Sequence, residues 1–151
     1  MKAILQRCHS AVVSVDGERV GECGKGLMIL LGVAQGDSTT DAELLANKIS
    51  KLRIFEDPDG KMNLSIKDVG GSILVVSNFT LLASYKKGNR PDYFGAEAPA
   101  RAEELYLYFA ECLRDLGIHV ETGSFGADMR IDLSCDGPVT IDMDSAVLQK
   151  S

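Results

Sequence analysis

The chain has 151 residues, 45% of them hydrophobic and 25% charged. That is the size and balance of one folded domain, 1–151, with its own core, and it excludes a disordered chain. With 16 basic against 22 acidic side chains the net charge is −6, which argues against broad nonspecific binding to DNA or RNA but leaves room for a local basic site on an acidic body.

The first residues, Met1 to Arg7, are too polar for a signal-peptide core, so a cytoplasmic protein is expected. Ala11–Val15 and Arg19-Val20 are β-rich runs around a turn at Asp16-Gly17, a hairpin within residues 3–22. Leu27–Val33 is the longest apolar run. It falls far short of the ~18 residues of a membrane span and suits a strand buried on both faces. Thr40-Asp41-Ala42-Glu43 reads as a capping box, with Leu45, Ile49 and Leu52 on one helical face behind it. A turn at Asp57-Pro58-Asp59-Gly60 follows, then Gly70-Gly71 and a second buried strand, Ser72–Ser77.

Leu82–Gly95 reads as a loop. A second helix starts near Pro99, carries Leu105, Phe109, Cys112, Leu113 and Leu116 as its apolar stripe, and ends at Gly117. From Met129 the chain alternates: Met129, Ile131, Leu133 and Cys135 share one parity, which Val139, Ile141 and Met143 resume. This predicts two half-buried strands interrupted by Asp136-Gly137-Pro138. The fold class is α+β: a mainly antiparallel sheet or partly closed β-barrel with two main helices packed on it.

Cys8, Cys23, Cys112 and Cys135 include no Cys-x-x-Cys pair, and His9 and His119 are the only histidines. No metal site, no cofactor and no disulfide are expected, and a Ser-His or Cys-His nucleophile has little support.

Three stretches carry chemistry. Ser77-Asn78-Phe79-Thr80-Leu81 brings two hydroxyls and an amide to the end of a buried strand, where free backbone N–H groups form an oxyanion hole or the polar side chains simply cap the strand end. Lys86, Lys87 and Arg90 put three positive charges into five residues with no acid between Ala83 and Pro91, either a phosphate-binding loop or a solvated one. Gly137-Pro138 separates the two last strands. It is either a plain turn or a cis step, since only X-Pro bonds have an appreciable cis population, about 5% in folded proteins.

Together these stretches resemble the D-aminoacyl-tRNA deacylases, whose hallmarks are Ser-Gln-Phe-Thr-Leu and Asn-x-Gly-Pro-Val-Thr. Here they read Ser77–Leu81 and Cys135–Thr140. Leu5-Gln6-Arg7, Leu52–Asp57, Gly60–Ser65, Lys87–Pro91, Thr122-Gly123 and Phe125–Met129 extend the resemblance over almost the whole chain.

The resemblance implies a homodimeric hydrolase of the ester between a D-amino acid, or glycine, and the terminal adenosine of tRNA, with no DNA and no membrane partner. It implies that Gly137-Pro138 is cis and reaches into the partner subunit's site, that Arg7 braces it, and that Phe125 and Met129 lie close to the pocket. Two mechanisms are open. Thr80 attacks to form an acyl-enzyme, or the substrate's ribose 2′-hydroxyl assists while backbone donors around Phe79 and Thr80 hold the oxyanion. The resemblance favours the second. Asn78 stands where the family has glutamine and Cys135 where it has asparagine, changes that bear on rate or selectivity. A noncatalytic tRNA-end binding module is the alternative reading.

Overall fold

The computed structural model describes residues 1–149. β1 (Lys2–Val15) organises the sheet. The chain turns at Asp16 and Gly17, both at positive φ as a tight hairpin requires, onto β2 (Glu18–Cys23). β3 (Gly26–Gly32) pairs antiparallel with the other half of β1. α1 (Thr39–Lys51) and a small hairpin of β4 (Phe55–Glu56) and β5 (Met62–Leu64) lead to β6 (Ser72–Ser77), which lies parallel to β3. After a 3-10 turn (Phe79–Leu82) and a loop, α2 (Pro99–Asp115) leads to β7 (His119–Thr122), parallel to β6. β8 (Arg130–Asp144) then runs antiparallel along β1, followed by α3 (Ser145–Leu148).

The main sheet has the order β2-β1-β3-β6-β7, with β8 on β1 as well. The Glu22 N–H on β2 donates to the Glu121 carboxylate on β7 at 3.0 Å, so the far edges approach each other and the sheet nearly closes into a barrel. The expected α+β class holds. The two parallel pairings enter where α1 and α2 serve as crossovers.

Side chains alternate across the strands. Leu27, Ile29 and Leu31 pack with Leu45 and Ile49 of α1 and with Leu105, Phe109 and Leu113 of α2. Met28, Leu74 and Val76 belong to a second cluster with Cys8, Val13 and Cys23. β3 and β6 are thus covered on both faces, as their unbroken apolar runs predict. Cys112 is half-buried against the first cluster, and all four cysteines are unbridged. Gly117 takes φ +89°, the left-handed value that ends α2. Among the described residues, no helix is long and apolar enough to cross a membrane.

Three expectations need correction. The capping box of α1 is Ser38 with Asp41, not Thr40 with Glu43: the Ser38 hydroxyl accepts from Thr40 N–H and Asp41 accepts from Ser38 N–H at 2.8 Å. β8 is one strand, not two. Gln6 faces Thr140 and Cys8 faces Cys135, so residues 136–139 bulge out opposite Arg7 alone while pairing continues on both sides. Cys135 is exposed, despite a parity that reads inward, and so is Leu133 of the same parity. β7 and the 3-10 turn were not predicted, being only four residues each.

Candidate active site

β6 ends at Ser77 between two parallel neighbours, and the chain must leave the sheet there. Asn78 N–H first bonds Leu31 C=O on β3 at 2.8 Å. The Asn78 side-chain oxygen then turns back, accepting from Thr80 N–H at 3.2 Å and from the Thr80 hydroxyl. Asparagine is the N-cap of the 3-10 turn, which disposes of Thr80's backbone donor. Phe79 N–H meets no acceptor among the described residues. The self-capping reading therefore holds for Asn78 and Thr80, and one backbone donor is left over.

This turn forms one wall of a cavity of about 730 Å³. Ser77, Asn78, Phe79 and Thr80 line it, opposite Phe125 and Met129. Much of the remaining lining is apolar, including Leu30, Val33, Val76, Ala102 and Ile131. Tyr106 of α2 holds the Phe125 side in place: its hydroxyl donates toward the carbonyls of Val75 (3.2 Å) and Gly123 (3.4 Å), and its ring lies 5.8 Å from that of Phe125. Burial pushes the Tyr106 phenol above its ordinary pKa. No histidine, lysine, arginine or cysteine is among the residues lining the cavity; its carboxylates are Glu97 and Asp128. Nor do any three His, Cys, Asp or Glu side chains among the described residues cluster as metal ligands would.

Gly137, Pro138 and Arg7 do not line this cavity. They form a separate, braced projection. The Gly137–Pro138 peptide bond is cis, and both residues are exposed. Gly137 has φ +125°, and a Cβ there would stand 2.7 Å from Val139 N, so no other residue fits. Arg7 lies buried beneath. Its Nη1 donates to Ile54 C=O at 2.7 Å, and its Nε stands 3.2 Å from an Asp136 carboxylate oxygen, an ion pair without hydrogen-bond alignment. Gln6 ties the two ends of the bulge together: its amide N–H donates to Cys135 Sγ at 2.9 Å and its oxygen accepts from the Thr140 hydroxyl at 2.8 Å. Cys135 thus takes up a contact on a neighbouring strand despite being a weak acceptor.

Lys86, Lys87 and Arg90 are exposed on the loop after the 3-10 turn and also lie outside the cavity lining. Sequence reasoning placed Gln6 in the Leu5-Gln6-Arg7 match but gave it no role, and it missed Tyr93, Ala96 and Glu97, which line the cavity from the loop's far end. Tyr93 meets the exposed Phe79 ring edge-on, with centroids 5.0 Å apart. The one available signal was the cluster of aromatics beside three cations.

A family model described as D-Tyr-tRNA(Tyr) deacylase matches residues 4–144. A D-aminoacyl-tRNA deacylase of Paracoccus denitrificans is 55% identical over 146 residues, covering 97% of this chain and 98% of that protein. One of Anaeromyxobacter dehalogenans is 53% identical over 145 residues, covering 96% and 97%. A solved structure named c-Myc DNA unwinding element binding protein is similar at a TM-score of 0.89 and 40% identity, over 95% of this chain and 98% of that one.

Proposed function

The chain belongs to the D-Tyr-tRNA(Tyr) deacylase family of hydrolases, and from that premise we propose that it acts in the cytoplasm on D-aminoacyl-tRNA and glycyl-tRNA and spares L-aminoacyl-tRNA. The observation that carries this reading is the convergence of Ser77–Thr80 and Phe125–Met129 on one largely apolar cavity of about 730 Å³. That volume lies in the range of small-molecule sites and suits an amino acid joined to adenosine.

Hydrolysis passes through a tetrahedral oxyanion, which needs a fixed donor. Phe79 N–H is the donor on offer, since Thr80 N–H is already engaged by Asn78. The Thr80 hydroxyl directs its proton at an amide oxygen, which is no base. With no histidine or lysine in the lining, Thr80 lacks the partner a hydroxyl nucleophile requires. The substrate's ribose 2′-hydroxyl, held beside the ester, is the assisting group. Water then adds to the carbonyl carbon, the ester C–O bond breaks, and the 3′-oxygen leaves with a proton.

Gly137 and Pro138 are exposed and do not line the chain's own cavity, which supports a homodimer in which each protomer's pair enters its partner's site. The backbone carbonyls of this bulge, whose ends Gln6 ties together and beside which Arg7 is buried, neither rotate away nor shorten. An L side chain directed at them meets a hard clash, a D side chain points elsewhere, and glycine has nothing to reject. The test is incubation with D-tyrosyl- and L-tyrosyl-tRNA. Release of tyrosine from the D-ester alone is expected; equal rates overturn the chirality reading. Binding of tRNA with no turnover of either ester leaves the noncatalytic tRNA-end module.

A further inference from the structure

Loop 83–95 gathers three positive charges, Lys86, Lys87 and Arg90, within five residues. Arg7, Arg19, Arg53, Arg101, Arg114 and Arg130 each reach a carboxylate or a carbonyl. Arg90 alone among the arginines has no such partner among the described residues; Lys86 and Lys87, like the other described lysines, form no ion pair, and no acid lies among residues 84–91. A cation left unpaired on a body of net charge −6 is available to an anion from outside.

The same loop carries the chain's most exposed aromatic rings. Tyr85 and Phe94 are each 83% exposed, ahead of every other large apolar side chain. They do not dangle from a frayed segment. Ser84 and Asp92 exchange two backbone hydrogen bonds, of 2.8 and 2.9 Å, and pin the neck of the loop. Tyr85 emerges on one side of that neck and Phe94 beyond the other, with the three cations between them in sequence. The platform is joined to the cavity mouth: Tyr93 packs on Phe79, and Gln35 N–H bonds Gly95 C=O at 2.9 Å.

Aromatic faces interleaved with unpaired cations make a surface for single-stranded nucleic acid, because every base offers a π face and every linkage a phosphate. A duplex would demand a broader basic footprint than three side chains. We propose that Tyr85 and Phe94 stack on the unpaired bases that precede the terminal adenosine of tRNA, while Lys86, Lys87 and Arg90 hold the phosphates between them. This rests on the proposed function and adds the residues that grip the RNA end.

The test compares D-tyrosyl-tRNA with D-tyrosyl-adenosine, which has no upstream bases. Tyr85→Ala and Phe94→Ala raise KM for the tRNA substrate by about 5-fold or more, the low end for one lost base stack. The effect is confined to that substrate, and Tyr85→Trp restores it. The chain has no tryptophan, so Tyr85→Trp also introduces a single reporter, and an unacylated RNA hairpin carrying the single-stranded tRNA 3′ end quenches its emission. Unchanged KM together with unquenched emission overturns the inference. A change of oligomeric state in the alanine variants, read by light scattering, also overturns it, because the rings then cover a second copy of the chain. Quenching without turnover of any D-ester leaves the stacking in place and removes the deacylase reading.

Discussion

Asn78 shows how one side chain sets what a site can do. Its oxygen occupies both the N–H and the hydroxyl of Thr80, so the threonine enters the cavity as a held group rather than an activated one. Thr80→Ala should therefore keep a substantial part of kcat on D-tyrosyl-tRNA, whereas a substrate ending in 2′-deoxyadenosine should be inert. A dead Thr80→Ala of intact fold, measured on both substrates, would restore the acyl-enzyme route. Arg7 acts at the same scale through a different force. It is buried, with Ile54 C=O on one side and Asp136 on the other. Arg7→Met leaves a buried carbonyl and a half-buried carboxylate without their partner, which should cost about 2–3 kcal/mol. Thermal melting should fall by roughly 5–10 °C for a chain of this length. If the brace is functional, selectivity for the D-ester should fall as well at temperatures where the variant is still folded.

At the scale of elements, the start of α1 is the instructive case. Residues 38–43 hold two overlapping capping frames, and only one is used. Asp41 wins because its second oxygen is wanted elsewhere. The Ser145 hydroxyl donates to it at 2.7 Å, and the Gln149 amide donates to it too. Burial works to raise the Asp41 pKa, but the Ser38 N–H, the Ser145 hydroxyl and the N-terminal ammonium outweigh it, and the folded value lies below the ordinary 3.8. The sign follows directly: a depressed carboxylate stabilises the fold above its unfolded pKa, and that stability is lost as pH falls through the folded one. Urea midpoints should therefore stay level near neutrality and drop below about pH 4. Asp41→Asn should flatten part of that acid limb, the remainder belonging to Asp57, Asp68 and Glu121, whose values are lowered too. β8 makes a related point. Its strict alternation is visible in the sequence, but the bulge at 136–139 is set by β1, where Arg7 faces it alone.

For the whole molecule, a net charge of −6 is compatible with the proposed mode of binding, in which only the acylated end of the RNA is held. The three phosphate contacts proposed for Lys86, Lys87 and Arg90 predict a slope of about −2 for log affinity against log salt on a single strand. Titrating the tRNA end at several salt concentrations checks this; a slope near zero or as steep as −6 would contradict it. Much of the fold was legible along the chain because its signals are local: the Asp16-Gly17 turn, the doubly covered runs of β3 and β6, the apolar stripes of α1 and α2, and the glycine that ends α2. Ser77–Leu81 and Gly137-Pro138 also stood out, since polar residues at the end of an apolar strand and a Gly-Pro step between strands break the local pattern. Their spatial relation was not legible. That Ser77–Thr80 share a cavity with Phe125, Met129 and Tyr93, while the exposed Gly137-Pro138 stands outside its lining beside a buried arginine, depends on β6 lying parallel between β3 and β7 and on a register slip against β1. Those pairings join residues far apart in the chain, and periodicity, which reports only whether a residue faces in or out, carries no information about which strand lies alongside.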